Sequence, residues 1–444
     1  MNIKNLCTAA TAALILGSAT AQADVNAYAV DPLTSDMALI YMGNNTRPVW
    51  NMSSLKPHVV HTYADGSQPT WMFDSFLFIE FSIEGKHLEN QNGGEATAAT
   101  QAQWEKLFKF QMGITNKGEG MGVLDNMIST LKATLGEPVI KHKIVMQLPT
   151  PQTNQTNWGT VDGRALDFHS EDDMQIAMRW GVDKILELWD QCNFKNLELV
   201  GVYCIDESMQ YVADRFRTAS EYIHEKGLKL YWIPYFNNNS TKNQWAENGV
   251  DVAYQQPNYY FDKNVYKSRL RAAIEDAKKY GLGLELEFHP DGLWNYKRTS
   301  AETDTSVPSA ASYYSRLKDY IDEFESYGVF DESAIAYYSG NDGFIQFANS
   351  KTPEDLAIMD RLAHLIDNRH KKLAGVNNIM ADDETTTFAV AGNGAIHVLD
   401  NAPDTQIFSI NGVLIHCGCG TFDCAPGIYI ATDGHGHSVK LAVQ

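Results

Sequence analysis

Eight apolar runs of strand length alternate with helical stretches, and a tail without helical periodicity follows them. Together they predict an α/β fold: a closed (β/α)8 barrel of the TIM type followed by a small all-β sandwich. Parallel strands covered on both faces read as continuous apolar runs, and these runs have that character. No Gly-rich dinucleotide fingerprint follows the first run and no P-loop is present, which disfavours a doubly wound open sheet and nucleotide chemistry.

The first strand is expected at Ala38–Met42, with a helix around Ser54 to Thr62, and the second at Ser75–Phe81. An excursion with helices near Gln103–Met112 and Val123–Leu135 leads to the third, Lys143–Pro149. A helix from Asp172 to Cys192, with Ile176, Trp180, Ile185, Leu188 and Trp189 along its apolar stripe, precedes the fourth, Leu197–Ile205. The fifth, Leu228–Phe236, follows a helix that Gly227 stops, and the sixth is Val252–Gln256. A helix over Val265–Tyr280, the seventh strand Leu282–Phe288, a helix over Ala311–Tyr327, the eighth strand Ala334–Tyr338 and a last helix from Glu354 to Lys372 complete the series. Short alternating runs with many glycines then predict the β-sandwich, so the expected divisions are 1–23, 24–374 and 375–444.

The first 23 residues, with one Lys, a short Ala/Leu/Ile run and Ala21-Gln22-Ala23, form a secretory signal with cleavage expected before Asp24. That run is too short for a stable membrane span, and no later stretch is long and apolar enough either. The chain is therefore expected in the periplasm, at the cell surface or outside the cell. With a net charge of -20 and no basic block, nucleic acid and anionic membranes are disfavoured as partners. Five cysteines remain after cleavage, an odd number that leaves at least one thiol free, although one pair among Cys417, Cys419 and Cys424 could bridge.

Carboxylates stand where two of the apolar runs stop. The run LELVGVYCI ends in Asp206, Glu207 and Ser208, and in LGLELEF Glu285 and Glu287 share one face. At the carboxyl ends of barrel strands such acids are site candidates. A pair of carboxyls across a barrel mouth suits glycoside cleavage, one protonating the leaving oxygen while the other attacks or activates water. Glu207 could instead be a solvated acid beside a helix cap, and Glu285 and Glu287 could form a structural network with Lys143 or Arg179. The following loops are rich in aromatics, amides and acids: Trp232, Tyr235, Tyr254, Gln256, Asn258, His289, Asp291, Trp294 and Tyr338, which with Asp206 and Glu285 are candidates to contact a neutral polyol. No cofactor is implied. His289 and Asp291 could contribute to a metal set, but no HExxH spacing supports a metal in the barrel. His416, Cys417, Cys419, Cys424, His435 and His437 match zinc spacings poorly, and a disulfide is the simpler reading.

Strands four and seven are where the clan of barrel glycosidases that retain anomeric configuration places its acid/base and its nucleophile. The chain resembles that clan in layout, which implies Glu207 as acid/base and Glu287 as nucleophile of a retaining glycoside hydrolase. The residue before Glu207 is Asp206, where those enzymes commonly have Asn. The segments TWMFDSFLFIEF, GVYCIDES, LYWIPYF, AYQQPNYYF and GLELEFHPDG resemble a family of secreted barrel proteins of Bacteroides-type gut bacteria, domain of unknown function 4855, over about Ala38 to Ala374. Ile407 to Val443 resembles the C-terminal sorting domain of type IX secretion, apart from the HCGCGTFDC insert. The partner class so implied is an oligo- or polysaccharide, cleaved by the chain or, in a second reading, only bound on a barrel scaffold.

Overall fold

The computed structural model describes residues 34–90, 94–238, 241–296, 309–375, 389–392, 395–399, 404–409, 414–425, 427–432 and 438–443. The expected signal peptide and residues 376–388, between the barrel and the tail, lie outside these residues.

Eight parallel strands close into a barrel in sequence order. They are β1 (Asp36–Tyr41), β2 (Ser75–Ile79), β3 (His142–Leu148), β4 (Leu197–Cys204), β5 (Lys229–Trp232), β6 (Val252–Gln255), β7 (Gly283–Glu287) and β8 (Ile335–Tyr338). Helices cover the outside, among them α1 (Met52–Val59), α2 (Gln101–Gln111), α3 (Met121–Leu135), α4 (Glu171–Cys192), α5 (Ala213–Glu225), α6 (Ser268–Tyr280), α7 (Ser309–Ser326) and, after two short helices, α8 (Pro353–Gly375). Each falls within a few residues of its expected place.

One boundary and one buried face differ from expectation. β5 ends at Trp232 rather than Phe236, because Pro234 has no N–H to give the ladder; its carbonyl still accepts from Gln256 at 2.9 Å, and Tyr235 and Gln256 form an isolated bridge. The buried side of α4 is centred on Met178, Val182 and Ile185, leaving Trp180 and Trp189 at its margin. Gly181 sits where a Cβ would come within 2.8 Å of Leu148, so helix and β3 pack closely there.

The barrel interior is filled by large rings that small residues admit. A Cβ on Gly201 would lie 2.5 Å from the Tyr231 ring, and one on Gly283 2.9 Å from that of Tyr254. At the amino ends of the strands, α8 locks the seam between β8, β1 and β2. Asp36 accepts from Arg369 Nη1 (2.9 Å) and the Tyr337 hydroxyl (2.6 Å) and pairs with His370 (3.1 Å). Asp74 accepts the N–H groups of Ser35 and Asp36 at 3.1 Å each. Burial raises the Asp36 pKa, but Arg369 and His370 outweigh it and the carboxyl ends below its ordinary range; burial pushes Asp74 up to about 6. Asp36, Asp74 and His370 lie close enough to share a cation, yet Arg369 and Tyr337 already occupy Asp36, which makes the cluster a latch at the closed end of the barrel.

The tail forms a three-stranded and a four-stranded antiparallel sheet. Ile396 and Val398 of the first and Ile407, Ala431 and Leu441 of the second share one apolar cluster. The bridge considered among Cys417, Cys419 and Cys424 is not formed: all three are free thiols, two of them exposed. His416 stacks on Phe422 at 4.3 Å, and His435 and His437 lie outside the described residues.

Candidate active site

Glu207 stands three residues past the end of β4, at the open mouth, and its backbone is held from two sides. The indole of Trp232 donates to the Asp206 carbonyl (2.8 Å), and the Asn238 amide donates to the Glu207 carbonyl (3.0 Å). Ser208 caps the short turn that follows. The Glu207 carboxyl is half-buried, and burial raises its pKa; the Gln256 amide is the hydrogen-bond donor that offsets this. Gln256 is itself held by Asn258, whose Nδ2 donates to its Oε1 at 3.1 Å. Asn258 has φ 51°, and its side chain accepts from Phe236 N at 3.0 Å, so the loop after β6 is fixed as it passes the acid.

Glu287, the last residue of β7, is 2 % exposed. Burial pushes it up to about 7 against three donors that favour its charged form: the Tyr320 hydroxyl from α7 and the backbone N–H groups of Tyr259 and Asn258. The Tyr259 N–H lies 3.3 Å from its Oε2. Glu285, two residues deeper on the same face, is raised well above the carboxylate range by burial and by the charges of Glu287 and Glu207. The interior direction read from the alternation of β7 is thus observed. Lys143 and Arg179 do not join these acids: Lys143 pairs with Glu198 at 2.7 Å and Arg179 lies over the Tyr222 ring.

Phenols surround the carboxyls. Burial first, and then the field of Tyr338, Glu285 and Glu207, raises Tyr41 at the end of β1; burial and Glu207 raise Tyr203 of β4. Tyr338, paired in register with Glu287, is pushed up to about 12 by burial and Glu285. All remain neutral hydroxyls able to donate. Above them Arg47 grips Glu80 with two hydrogen bonds of 2.8 Å, donates to Asn341, and lies over the Tyr41 ring at 4.7 Å. Glu80 follows β2 as Glu207 follows β4. Tyr41, Arg47, Glu80, Tyr203 and Tyr320 were not among the sequence candidates, although Glu80 carries the same signal as Glu207, an acid at the close of an apolar run.

A cleft of 1470 Å³ opens beside Glu207, walled by the loops after β2, β3 and β4 and by Tyr235 after β5. Asp206 borders it; burial pushes its carboxyl up to about 6 while the Thr150 hydroxyl and the Asn90 backbone pull it down.

Two expected contact residues are not at the mouth. Trp232 is fully buried beneath the Asp206 turn, so it positions Glu207 rather than meeting a ligand. Tyr254 is also fully buried, and its hydroxyl reaches the Thr34 carbonyl at 2.9 Å at the closed end. It lies in the Gly283 layer, one step beneath Glu285. His289, Asp291 and Trp294 form a loop of their own. The Asp291 N–H lies 3.4 Å from His289 Nδ1, Asp291 accepts from Tyr260 at 2.7 Å, and Trp294 packs edge-on to Tyr314.

A family model described as "Domain of unknown function (DUF4855)" matches residues 36–364. No curated protein matches the sequence. Among solved structures, a GH10 xylanase of Thermobacillus composti is similar at 13% identity over 70% of this chain and 85% of its own, with a TM-score of 0.32. An endo-1,4-beta-xylanase of Caldicellulosiruptor owensensis is similar at 13% identity over 72% and 97%, with a TM-score of 0.34. A mutant tryptophan synthase alpha-subunit of Pyrococcus furiosus is similar at 8% identity over 76% and 99%, with a TM-score of 0.32. Likenesses this distant carry no argument about the reaction.

Proposed function

The chain belongs to the DUF4855 family, and from the chemistry of its barrel mouth we propose that it is a glycoside hydrolase using Glu207 and Glu287, with a retaining mechanism. The observation that carries this reading is an asymmetry between two carboxyls at strand ends. Glu287 has three hydrogen-bond donors aimed at it, whereas Glu207 faces the cleft with one. Donors stabilise a carboxylate, so Glu287, although burial pushes it up to about 7, has the groups that hold its charged form for attack on the anomeric carbon; Glu207, raised by burial, with a single donor and open to the cleft, suits protonation of the leaving oxygen. Glu287 would form the covalent glycosyl-enzyme while Glu207 gives its proton to the departing hydroxyl. Glu207 would then take a proton from the water that releases the sugar. Glu285, raised by burial beneath Glu287, is disfavoured as a second negative charge, and Tyr338, part-exposed at the mouth, offers a hydroxyl to the sugar.

The alternative, a protein that only binds carbohydrate, loses two of its expected aromatic contacts, since Trp232 and Tyr254 are in the core. Digestion of a panel of aryl glycosides and natural glycans, with product analysis, tests the proposal: wild type should release sugar from at least one and Glu207→Gln should not release it from unactivated glycans.

For the whole chain we propose export through residues 1–23 and a sorting role for the tail. Amino-terminal sequencing of the exported protein should begin at Asp24, and a start at Met1 would refute it.

A further inference from the structure

We propose that the cleft over β2, β3 and β4 binds an extended, uncharged glycan chain, with Tyr211 as its stacking platform; this deepens the hydrolase reading and takes the sugar nature of the ligand from it. The volume of 1470 Å³ exceeds the roughly 300–1,000 Å³ that encloses a drug-sized ligand, so one ring at Glu207 leaves most of the space unfilled.

The wall offers the groups a chain of hydroxyls requires. Asn90, Asn154 and Gln210 line it with amide side chains; the Asn90 oxygen already accepts from the Thr153 N–H at 3.2 Å, which fixes that side chain in the wall. Tyr211 also lines it, four residues after Glu207, and is 81% exposed. A large ring left in water at a cleft edge fits the apolar face of a sugar ring.

The charges select against anions. Four carboxyls border the cleft, those of Glu89, Glu171, Asp206 and Glu207. Among the described wall residues the only guanidinium is that of Arg215, and it is committed: it bonds Glu171 at 3.0 and 3.2 Å and the Pro151 carbonyl at 3.0 Å. His169 is paired with Asp167 at 2.6 Å. A uronate or sulfated chain would find no uncommitted cation among the described wall residues to receive it.

Affinity electrophoresis of the full chain through gels containing starch, xyloglucan, arabinoxylan, galactomannan or polygalacturonate tests this without reference to turnover. At least one neutral polysaccharide should retard the wild type, polygalacturonate should not, and Tyr211→Ala should reduce the retardation at least threefold. The ring is too exposed for its removal to unfold the protein. Absence of retardation by all four neutral polymers, retardation by polygalacturonate, or equal retardation of Tyr211→Ala would overturn the proposal. Cleavage of aryl glycosides without retardation would remove the cleft and leave the hydrolase. Retardation without any cleavage dependent on Glu207 would do the reverse.

Discussion

The Tyr320 hydroxyl, carried on α7, donates to the carboxylate of Glu287 at the end of β7. A helix of the outer layer thus supplies the strongest single pull on an acid at the barrel mouth, opposing a burial that by itself would keep the acid protonated.

Tyr320→Phe removes that donor and should raise the Glu287 pKa further above 7. A hydrogen bond to a charged group contributes about 1.5–3 kcal/mol, or roughly one to two pH units. Because Glu287 must be ionised to attack, the acid limb of the kcat/KM profile should move upward by that order. An unshifted acid limb would show that Glu287 does not set it.

Glu285→Gln should separate stability from catalysis. The folded pKa of Glu285 is raised well above the ordinary 4.5, so its contribution is fully present below about pH 4.5 and is lost as pH rises toward the folded value. The loss is roughly 1.4 kcal/mol per pH unit, and Gln does not titrate. The melting temperature of the variant relative to wild type should therefore climb between pH 4.5 and 7.5. A difference independent of pH would mean that Glu285 is not held neutral in the folded state.

At the closed end, Arg369→Ala leaves Asp36 buried with its main countercharge gone, which should cost about 3–5 kcal/mol in denaturant unfolding. Because this latch is remote from the mouth, KM on any cleaved substrate should change little in the folded protein. A loss below 1 kcal/mol would show that the latch does not hold the barrel closed.

The eight strands and their helices were legible because each strand is buried on both faces and so appears as an unbroken apolar run. Glu207, Glu285 and Glu287 were legible for the complementary reason, as acids that interrupt such runs at or near their carboxyl ends. What position along a strand does not reveal is height and reach. Tyr254 reads as a strand-end aromatic, but β6 pairs with β7 so that Tyr254 lies beside Gly283, and its long ring points toward Thr34. Trp232 ends β5 yet turns under the Asp206 carbonyl. Partners distant in sequence were hidden altogether: Arg47 and Glu80 are 33 residues apart, as are Glu287 and Tyr320, and Tyr320 reads as one more apolar-stripe residue of α7.

The most direct test of the central claim compares Glu207→Gln and Glu287→Gln on substrates with good and poor leaving groups. A leaving group such as dinitrophenolate hardly needs a proton, so Glu207→Gln should keep its first step on dinitrophenyl glycosides while losing about 10²–10⁴-fold on natural linkages. Glu287→Gln should be inactive on both, because nothing replaces the nucleophile. Equal loss on the two substrate types in Glu207→Gln, or near-normal turnover in Glu287→Gln, would contradict the assignment.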